Sequence, residues 1–359
     1  MKKIRVLVVD DSLFMRAAIT KTLATPAFEI VGQAKDGKDA LAQIAKVNPD
    51  VVTMDFNMPG MNGADTVREI MRTRPTPVVM FSAHTKQGAK ETFDALAAGA
   101  VDFVTKPAGE VSVDLSKIST ELINKLTAAA QSKPRVAATP IAPRPSGQFA
   151  AVSGSSIPSF ATAARGGTTP GVGVGSTRVC IIGISTGGPA ALSEVIPALP
   201  ENLKLAIVVV QHMPAGFTGP FAERLDAVSR VSVAEAKAGD RPMPGTVLIA
   251  PGDKHLEFDE RGVVVLTDGP QVNGCRPAAD VTMQSAARVF GKRALAVVMT
   301  GMGKDGAAGA LAIKRAEGKT LAQDQQTSVI YGMPKAAVDA GAIDEVAALG
   351  DIAAWLRYA

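Results

Sequence analysis

Short runs of apolar residues alternate with amphipathic stretches along residues 1–132. The apolar runs predict β-strands at Ile4–Val9, Val51–Met54, Val78–Phe81 and Val101–Val104, with a weaker strand near Glu29–Val31. Helical spacing falls between them, as in Phe14–Leu23 and Asp39–Ala45, and a last helix carries the stripe Ile118, Leu122, Ile123 and Leu126. Buried runs separated by amphipathic helices are typical of a parallel sheet that is covered on both faces. We therefore predict five strands and five helices here.

The same alternation returns on a larger scale in residues 177–359. Strand-like runs lie at Val179–Ile184, Leu205–Val210, Thr246–Ala250, Val263–Leu266 and Leu295–Met299. Helical stretches include Ala190–Ile196, Phe217–Ala227, Thr282–Val289 and Gly309–Arg315. Because the Val- and Ile-rich runs contain no internal polar residue, they favour parallel strands that are buried on both faces. The pattern predicts a doubly wound, mostly parallel α/β domain.

Residues 133–176 differ from both flanking regions in composition. They are rich in Pro, Gly, Ala, Ser and Thr, and they show no hydrophobic period. Such a segment buries too little apolar surface to offset its ordering entropy, so we predict a flexible linker between a first domain at 1–132 and a second at 177–359. The glycines of GVGVGS follow no predicted strand, which argues against a nucleotide-binding loop.

Charge and composition exclude several classes of protein. The net charge of +4 comes from the linker, since the two predicted domains carry only +1 and −1. Neither domain has the basic excess of a nucleic-acid-binding protein. Apolar runs such as Leu205–Val210 are far shorter than the ~20 residues of a membrane span. The first apolar stretch is too short for a signal peptide and ends in two aspartates, so we expect a cytoplasmic protein that is not inserted in a membrane.

Acidic residues follow two strands of the first domain. Asp10 and Asp11 end the first strand, and Asp55 ends the third. Ligands of open α/β sheets bind at the carboxyl ends of strands, and close carboxylates repel one another unless a cation lies among them. Mg²⁺ suits such oxygen ligands. Because Ser82 and Lys106 end the fourth and fifth strands, a hydroxyl and an ammonium join the cluster, which indicates that Asp55 accepts a phosphoryl group.

These motifs resemble the receiver domain of response regulators. The resemblance rests on VLVVDDS, MDFNMPGMNG, the strand-end serine and VTKP, and it covers residues 4–126. It implies the flavodoxin-like (βα)5 fold and phosphorylation of Asp55. It implies a metal site made of Asp10, Asp11, Asp55 and the backbone carbonyl of Asn57. It also implies that Lys106 contacts the phosphoryl group, that the Lys106–Pro107 peptide bond is cis, and that the switch pair is Ser82 and Phe103.

A candidate nucleophile follows the first strand of the second domain. Ser185 lies in GISTGGP, whose glycines permit a sharp turn from strand to helix. His212 ends the next strand, and Asp305 lies between a later strand and a helix. Because parallel strands end at one edge of a sheet, these side chains can meet as nucleophile, base and carboxylate. Backbone N–H groups, those of Thr186 and Met302, are candidates for holding an oxyanion. The chain order differs from that of α/β-hydrolases, so we do not expect that fold.

Several motifs of the second domain resemble the chemotaxis receptor methylesterases, the CheB family. They are ISTGGP, VVQHMP, APGDKH, MTGMGKDGA and AQDQQTSVIYGMPKAA, and together they cover about residues 178–357. The resemblance implies a triad of Ser185, His212 and Asp305 with no cofactor in this domain. The family usually has Ser-Val after the proline of NGCRP. Here Ala278 and Ala279 stand there, a departure expected to affect substrate contacts rather than the triad.

The resemblance also implies an activity and partners. Members of the family hydrolyse γ-glutamyl methyl esters of methyl-accepting chemotaxis receptors, release methanol, and in many cases deamidate receptor glutamines to glutamate. A chemotaxis histidine kinase would be the phosphodonor. We therefore expect a phosphorylation-regulated serine hydrolase that acts as a monomer, with Mg²⁺ in the receiver and the unphosphorylated receiver packed over the Ser185 cleft.

Other interpretations are weaker. A response regulator with a DNA-binding output domain conflicts with the near-neutral second domain and its lack of a helix-turn-helix signal. A signalling adaptor without catalysis conflicts with the complete triad. GKT at 318–320 lacks the glycine that a phosphate loop needs, because Ile313 stands there. Cys275 could act as a nucleophile with His255, while Cys180 lies within a strand. Two cysteines make neither a disulfide framework nor a zinc site.

Overall fold

The first α/β region is a five-stranded parallel sheet with helices between the strands. The strands are β1 (Ile4–Val9), β2 (Phe28–Ala34), β3 (Val51–Asp55), β4 (Val78–Ser82) and β5 (Asp102–Thr105), in the order β2-β1-β3-β4-β5. The helices are α1 (Leu13–Thr22), α2 (Gly37–Val47), α3 (Gly63–Thr73), α4 (Lys86–Ala97) and α5 (Ser116–Gln131). The strand order reverses beside β1, so the carboxyl ends of β1 and β3 flank the crevice where such sheets bind ligands.

The computed structural model describes residues 2–83, 85–106, 116–132 and 177–359. The predicted linker at 133–176 and the predicted cis bond to Pro107 lie outside these residues. Four helices of the first region begin at a side chain that accepts a hydrogen bond from a backbone N–H of the first turn, namely Ser12, Asp36, Asn62 and Thr85. Such capping satisfies N–H groups that otherwise lack a partner, so it fixes where each helix starts.

The second α/β region is a seven-stranded parallel sheet. Its strands are β6 (Arg178–Ile184), β7 (Leu205–Gln211), β8 (Ser232–Glu235), β9 (Thr246–Ile249), β12 (Ala294–Val298), β13 (Lys319–Gln323) and β14 (Glu345–Ala347). Their order is β14-β13-β12-β6-β7-β9-β8. The helices are α6 (Gly188–Val195), α7 (Thr218–Val228), α8 (Ala279–Phe290), α9 (Ala307–Arg315), α10 (Met333–Asp339) and α11 (Leu349–Tyr358). The central strands β6, β7 and β12 are almost wholly buried, as their apolar runs predict.

One predicted strand of this region belongs elsewhere. The run near Val263–Leu266 forms β11 (Val264–Thr267), which pairs antiparallel with β10 (His255–Phe258) in a separate two-stranded sheet. The prediction of a parallel strand is therefore wrong for this run. Only a few residues join β10 to β11, and so short a connection permits only antiparallel pairing. Val264 is buried whereas Val265 is 38% exposed, so only one face of the strand is covered.

The two α/β regions share an apolar contact. Phe93 of α4 stacks on Phe221 of α7 with ring centroids 5.1 Å apart, and Phe103 of β5 stacks on Phe217 at 4.8 Å. Arg224 of α7 forms an ion pair with Asp94 of α4, with 2.8 Å between nitrogen and oxygen. The face of the first region formed by α4 and β5 is thus covered by the second region. Within the part of the chain described, no helix is long and apolar enough to cross a membrane.

Candidate active site and phosphorylation site

Ser185 occupies the turn between β6 and α6. Its backbone N–H donates to the Thr300 carbonyl oxygen at 2.9 Å, which ties the turn to the end of β12. Gly187 follows with φ of 78°, in the left-handed region that glycine adopts without strain. Ser185 is half-buried, and its hydroxyl makes no hydrogen bond to the residues that the structure describes. The candidate nucleophile therefore stands at the start of a helix with its hydroxyl uncommitted.

His212 lies directly after β7, beside the Ser185 turn. Its backbone N–H donates to the Ile184 carbonyl oxygen at 3.1 Å, so the two strand ends are joined next to both side chains. The ring Nε2 lies 2.7 Å from Oδ2 of Asp305. Because Nε2 is engaged by the carboxylate, Nδ1 is the nitrogen left to exchange a proton with a nucleophile.

Asp305 is buried and surrounded by donors. Its Oδ2 accepts from the His212 ring and from the Ala279 backbone N–H at 2.6 Å. Its Oδ1 accepts from the Asp280 N–H at 3.1 Å and from the Asn273 side-chain amide at 3.1 Å. Burial alone would raise the pKa of Asp305, but the hydrogen bonds and the charge of His212 outweigh it and lower that pKa. The carboxylate is therefore ionised and fixed in orientation.

The surroundings of His212 favour the protonated ring. Burial alone would lower the pKa of His212, but the hydrogen bonds to Asp305 and Cys275 raise it to about 9. The Cys275 sulfur lies 3.4 Å from Nδ1. The suggested pairing of Cys275 with His255 is thus wrong, because the loop that carries Cys275 folds towards His212. His255 instead is buried, with Nε2 3.0 Å from the Pro270 carbonyl oxygen and Nδ1 accepting from the Ala278 N–H.

The residues Ala278 and Ala279 are both fully buried. Ala278 donates its N–H to His255, and Ala279 donates its N–H to Asp305. They act through backbone groups and packing, so the departure from Ser-Val lies inside the protein rather than on a surface that a substrate touches. The expectation that it affects substrate contacts stays a prediction, and the burial of both side chains favours an effect through neighbouring residues.

The two candidate oxyanion donors flank the Ser185 turn. Thr186 follows the nucleophile, and its N–H has no hydrogen-bond partner among the described residues. Met302 lies in the loop after β12, where the neighbouring Gly301 packs against Ser185 closely enough that an added Cβ would lie 2.8 Å from the serine Cβ. The Met302 side chain is 45% exposed. Both N–H groups remain candidates for holding a developing negative charge.

A second constellation lies at the carboxyl edge of the first sheet. Ligand atoms of Asp10, Asp11 and Asp55 lie within 4.8 Å of one another. Lys106 Nζ lies 2.8 Å from Asp55 Oδ1 and 3.0 Å from Asp10 Oδ2. Burial, and to a lesser extent the charge of Asp10, raise the pKa of Asp55 to about 6, although Lys106 opposes the rise. A single ammonium does not neutralise three carboxylates, so the donor set fits a hard divalent cation.

The other predicted receiver residues point away from this cluster. The Ser82 hydroxyl donates to the Gly88 carbonyl oxygen at 3.0 Å, and it accepts a hydrogen bond from the Thr92 hydroxyl at 2.6 Å. Phe103 is buried against Phe217 of the second region. Asn57 lies in the exposed loop after β3, where its side-chain amide donates to Glu91 at 3.4 Å, and its carbonyl remains a predicted metal ligand.

Each of the two α/β regions matches a known family. A family model described as CheB methylesterase matches residues 180–356, and one for the response regulator receiver domain matches residues 6–114. A protein of Symbiobacterium thermophilum named protein-glutamate methylesterase/protein-glutamine glutaminase is 46% identical over 98% of this chain and 96% of its own length. The chain belongs to the CheB methylesterase family.

Further similarities agree with membership of the CheB methylesterase family. A Pyrococcus abyssi protein of the same name is 44% identical over 98% of this chain and 92% of its own length. The crystal structure of the Thermotoga maritima CheB methylesterase catalytic domain matches 51% of this chain and 98% of that chain, with 44% identity and a TM-score of 0.50. The predicted family, the two-part α/β fold and the enzyme class are thereby confirmed.

Several residues around this CheB-type site escaped the sequence-based prediction. Asn273 and the N–H groups of Ala279 and Asp280 hold Asp305, and the side chain of Gln211 contacts the Ser185 turn. The Asn-Gly pair at 273–274 marks a turn but gives no sign of what the turn approaches. Gln211 is the one polar residue of β7, whose other residues are all apolar, and this was a usable signal.

Proposed function

We propose that this chain hydrolyses glutamyl methyl esters of chemotaxis receptors and deamidates receptor glutamines, under control of phosphorylation at Asp55. The observation that carries the proposal is the 2.7 Å contact between His212 and Asp305 beside the uncommitted Ser185 hydroxyl. A serine hydroxyl is a weak nucleophile unless a base removes its proton, and the base works only when its ring is oriented. This chain supplies all three groups at one sheet edge.

The first chemical step forms a glutamyl-enzyme ester. His212 Nδ1 takes the proton as the Ser185 oxygen attacks the side-chain carbonyl carbon, and the carbonyl oxygen becomes negatively charged. The N–H groups of Thr186 and Met302 hold that oxygen while Asp305 balances the charge on the imidazolium. His212 then gives the proton to the departing methoxide, so methanol leaves. We expect the Ser185 hydroxyl to replace the Cys275 sulfur next to Nδ1 when substrate binds.

The second step returns the free enzyme. A water molecule loses a proton to His212 and attacks the same carbonyl carbon, and the ester bond to Ser185 breaks as the serine oxygen recovers the proton. The product is a glutamate side chain. A glutamine substrate follows the same course, except that ammonia departs in the first step in place of methanol. The same side chains therefore account for both hydrolytic activities.

Contacts between the two regions support a route from Asp55 to the Ser185 turn. The buried Asp102 carboxylate of β5 accepts a hydrogen bond from the Thr186 hydroxyl, while Lys125 Nζ lies 3.3 Å from it. The next residue, Phe103, stacks on Phe217. We propose that phosphorylation moves Ser82 and Phe103, weakens this interface and opens the cleft to a receptor.

The acidic cluster of the receiver fits Mg²⁺. Asp10, Asp11 and Asp55 would hold the ion together with the carbonyl of Asn57, and the bound cation would neutralise phosphoryl oxygens. Lys106 donates to the Asp55 carboxylate in this structure and would contact a phosphoryl group attached there. The phosphodonor we expect is a chemotaxis histidine kinase.

Methanol release from methylated receptor membranes tests the proposal. We expect full-length protein to release methanol, and a small acyl phosphate with Mg²⁺ to raise the rate on the order of 10-fold. Ammonia release from a receptor that carries glutamine tests the second activity in the same samples. Absence of methanol release in the presence of phosphodonor would contradict the esterase. Methanol release at the same rate with and without phosphodonor would contradict only the proposed regulation by phosphorylation.

A further inference from the structure

Gln211 is a buried polar residue between the nucleophile and the base. It is the last residue of β7, it is 2% exposed, and it pairs in register with Ile184 at the end of β6. Ser185 and His212 each follow one member of this pair. A side chain at this place contacts the backbone of both catalytic residues without reaching the substrate.

The Gln211 amide donates to two carbonyl oxygens. Its Nε2 lies 3.1 Å from the backbone carbonyl oxygen of Ser185 and 3.1 Å from that of His212. Both carbonyl oxygens can only accept hydrogen bonds. If the side-chain amide of Gln211 were flipped, its own oxygen would face these two oxygens, so that orientation is excluded. The side chain thus holds the backbone on either side of the triad in one arrangement.

The other end of the amide has no partner. Gln211 Oε1 is buried and forms no hydrogen bond to any of the described residues. It faces Gly188, where an added Cβ would lie only 1.9 Å from Oε1. A buried oxygen without a donor reduces stability, and an apolar side chain of similar shape avoids that loss. Packing alone therefore does not explain a glutamine here, whereas the two bonds from Nε2 do.

The Ser185 carbonyl oxygen has a second donor, the Gly188 N–H at 2.8 Å. Two donors fix the direction of this carbonyl. Because a trans peptide is planar, the N–H of the same peptide, which belongs to Thr186, points in the opposite direction. That N–H has no partner among the described residues and so stays available to an oxyanion.

We propose that Gln211 is a positioning residue that fixes the Ser185–Thr186 peptide so that the Thr186 N–H faces the oxyanion of the reaction. The inference rests on the proposed esterase function and adds to it the residue that orients one of its donors. Gln211 contacts neither substrate nor the reacting atoms. It acts through the backbone of its neighbours.

The test replaces the amide by an apolar group of similar length. Gln211→Met removes both donated bonds and the unpartnered oxygen. We expect kcat for methanol release to fall about 10- to 100-fold, the size of effect seen when an oxyanion donor is weakened, while KM stays within about 2-fold. We expect Tm to stay close to that of the unchanged protein, since the loss of two bonds is offset by removal of a buried unpaired oxygen.

A second measurement separates positioning from general damage. A small alkyl boronic acid forms a tetrahedral adduct on a reactive serine, so its inhibition constant reports on the oxyanion site. We expect Gln211→Met to weaken boronate inhibition by the same factor as kcat. Thr320→Val is the matched control, because the buried Thr320 hydroxyl of β13 donates to Asp344, the residue before β14, at 3.0 Å. We expect that variant to keep kcat and boronate affinity.

Gly188→Ala decides the question if Gln211→Met does not fold. The added methyl group would displace the amide while the glutamine itself remains. A loss in kcat and boronate affinity supports the proposal in either variant, and unchanged values for both measurements overturn it. If the unchanged protein binds boronate but releases no methanol, the proposed function fails, and the boronate comparison still judges the role of Gln211.

Discussion

Each of the two sheets carries a candidate site at the carboxyl ends of its strands, but the buried carboxylates of the two sites have pKa values shifted in opposite directions. At the end of the first sheet, Asp10 and Asp55 share only the ammonium of Lys106, and the pKa of Asp55 is raised to about 6 by burial and by Asp10. At the end of the second sheet, Asp305 is held by donors on every side and its pKa is lowered. Under the proposed function, the first site would take up a cation and a phosphoryl group, whereas the second would use groups that the chain itself supplies.

The source of the donors explains the difference. The loops after β1 and β3 offer Asp10 and Asp55 one backbone N–H each, those of Ser12 and Phe56. The loops of the second sheet are longer and fold back, so that Asn273 and the start of α8 meet Asp305. Under the proposed function, we therefore expect one sheet edge to change state on modification and the other to be organised for hydrolysis beforehand.

The largest effect should come from the candidate nucleophile of the second site. Ser185→Ala should lower methanol release on the order of 10³-fold or more, because no covalent intermediate forms without the hydroxyl. Ser193→Ala is the matched control, since its hydroxyl only donates to the Pro189 carbonyl within α6. Near-normal turnover in Ser185→Ala would rule out the serine-hydrolase mechanism.

The two histidines of the second sheet should differ strongly. His212→Gln should reduce kcat about 10³-fold because the base is lost. His255→Gln should cost less than about 10-fold, because His255 supports a loop through Pro270 and Ala278 and touches no reacting atom. Methanol release under phosphodonor measures both. The reverse ranking would mean that the base is assigned to the wrong loop.

The pH profile should show the raised pKa of His212. The ring must be neutral to accept the serine proton, so kcat/KM should rise about tenfold per pH unit and level off near pH 9. Cys275→Ala removes one of the contacts that raise this pKa and should shift the rise to lower pH. A profile that is already flat at pH 7 in the unchanged protein would contradict a protonated resting ring.

The receiver site should matter only for regulation. Asp55→Asn should keep the basal rate and lose the stimulation by phosphodonor, a loss on the order of 10-fold. Asp65→Asn offers a control in the same region, because Asp65 lies in the exposed first turn of α3. Stimulation that persists in Asp55→Asn would show that the acceptor is another residue.

The smallest effect should come from the exposed ion pair between the regions. Arg224→Ala removes the contact to Asp94, which at partly exposed positions is worth less than ~1 kcal/mol. The basal rate of unphosphorylated protein should rise about 2-fold, because we expect the receiver to cover the Ser185 cleft less tightly. Arg68→Ala breaks a comparable pair within α3 and should change nothing. A lower basal rate in Arg224→Ala would argue against an inhibitory interface.

Sequence alone was sufficient for the central strands and for the residues that stand at their ends, but it missed β8, β10, β13 and β14. Apolar periodicity located the central strands, and the strand-end positions of Asp55, Ser185 and His212 followed from that pattern. This works because strand burial is local, and because parallel strands bring their carboxyl ends to one edge whatever the loops do. The motifs then supplied the family, which the relatives confirm.

Only the tertiary structure decided what the loops bring to those edges. Cys275 lies 63 residues from His212 in sequence, yet its sulfur contacts the ring, and Phe103 meets Phe217 across the two regions. The pairing of Val264–Thr267 in a hairpin was equally hidden, and the polar end of β7 at Gln211 gave no sign that its amide contacts the Ser185 turn. Loop paths depend on packing between distant segments, which no local period records, so the residues that tune each site become visible only in the folded chain.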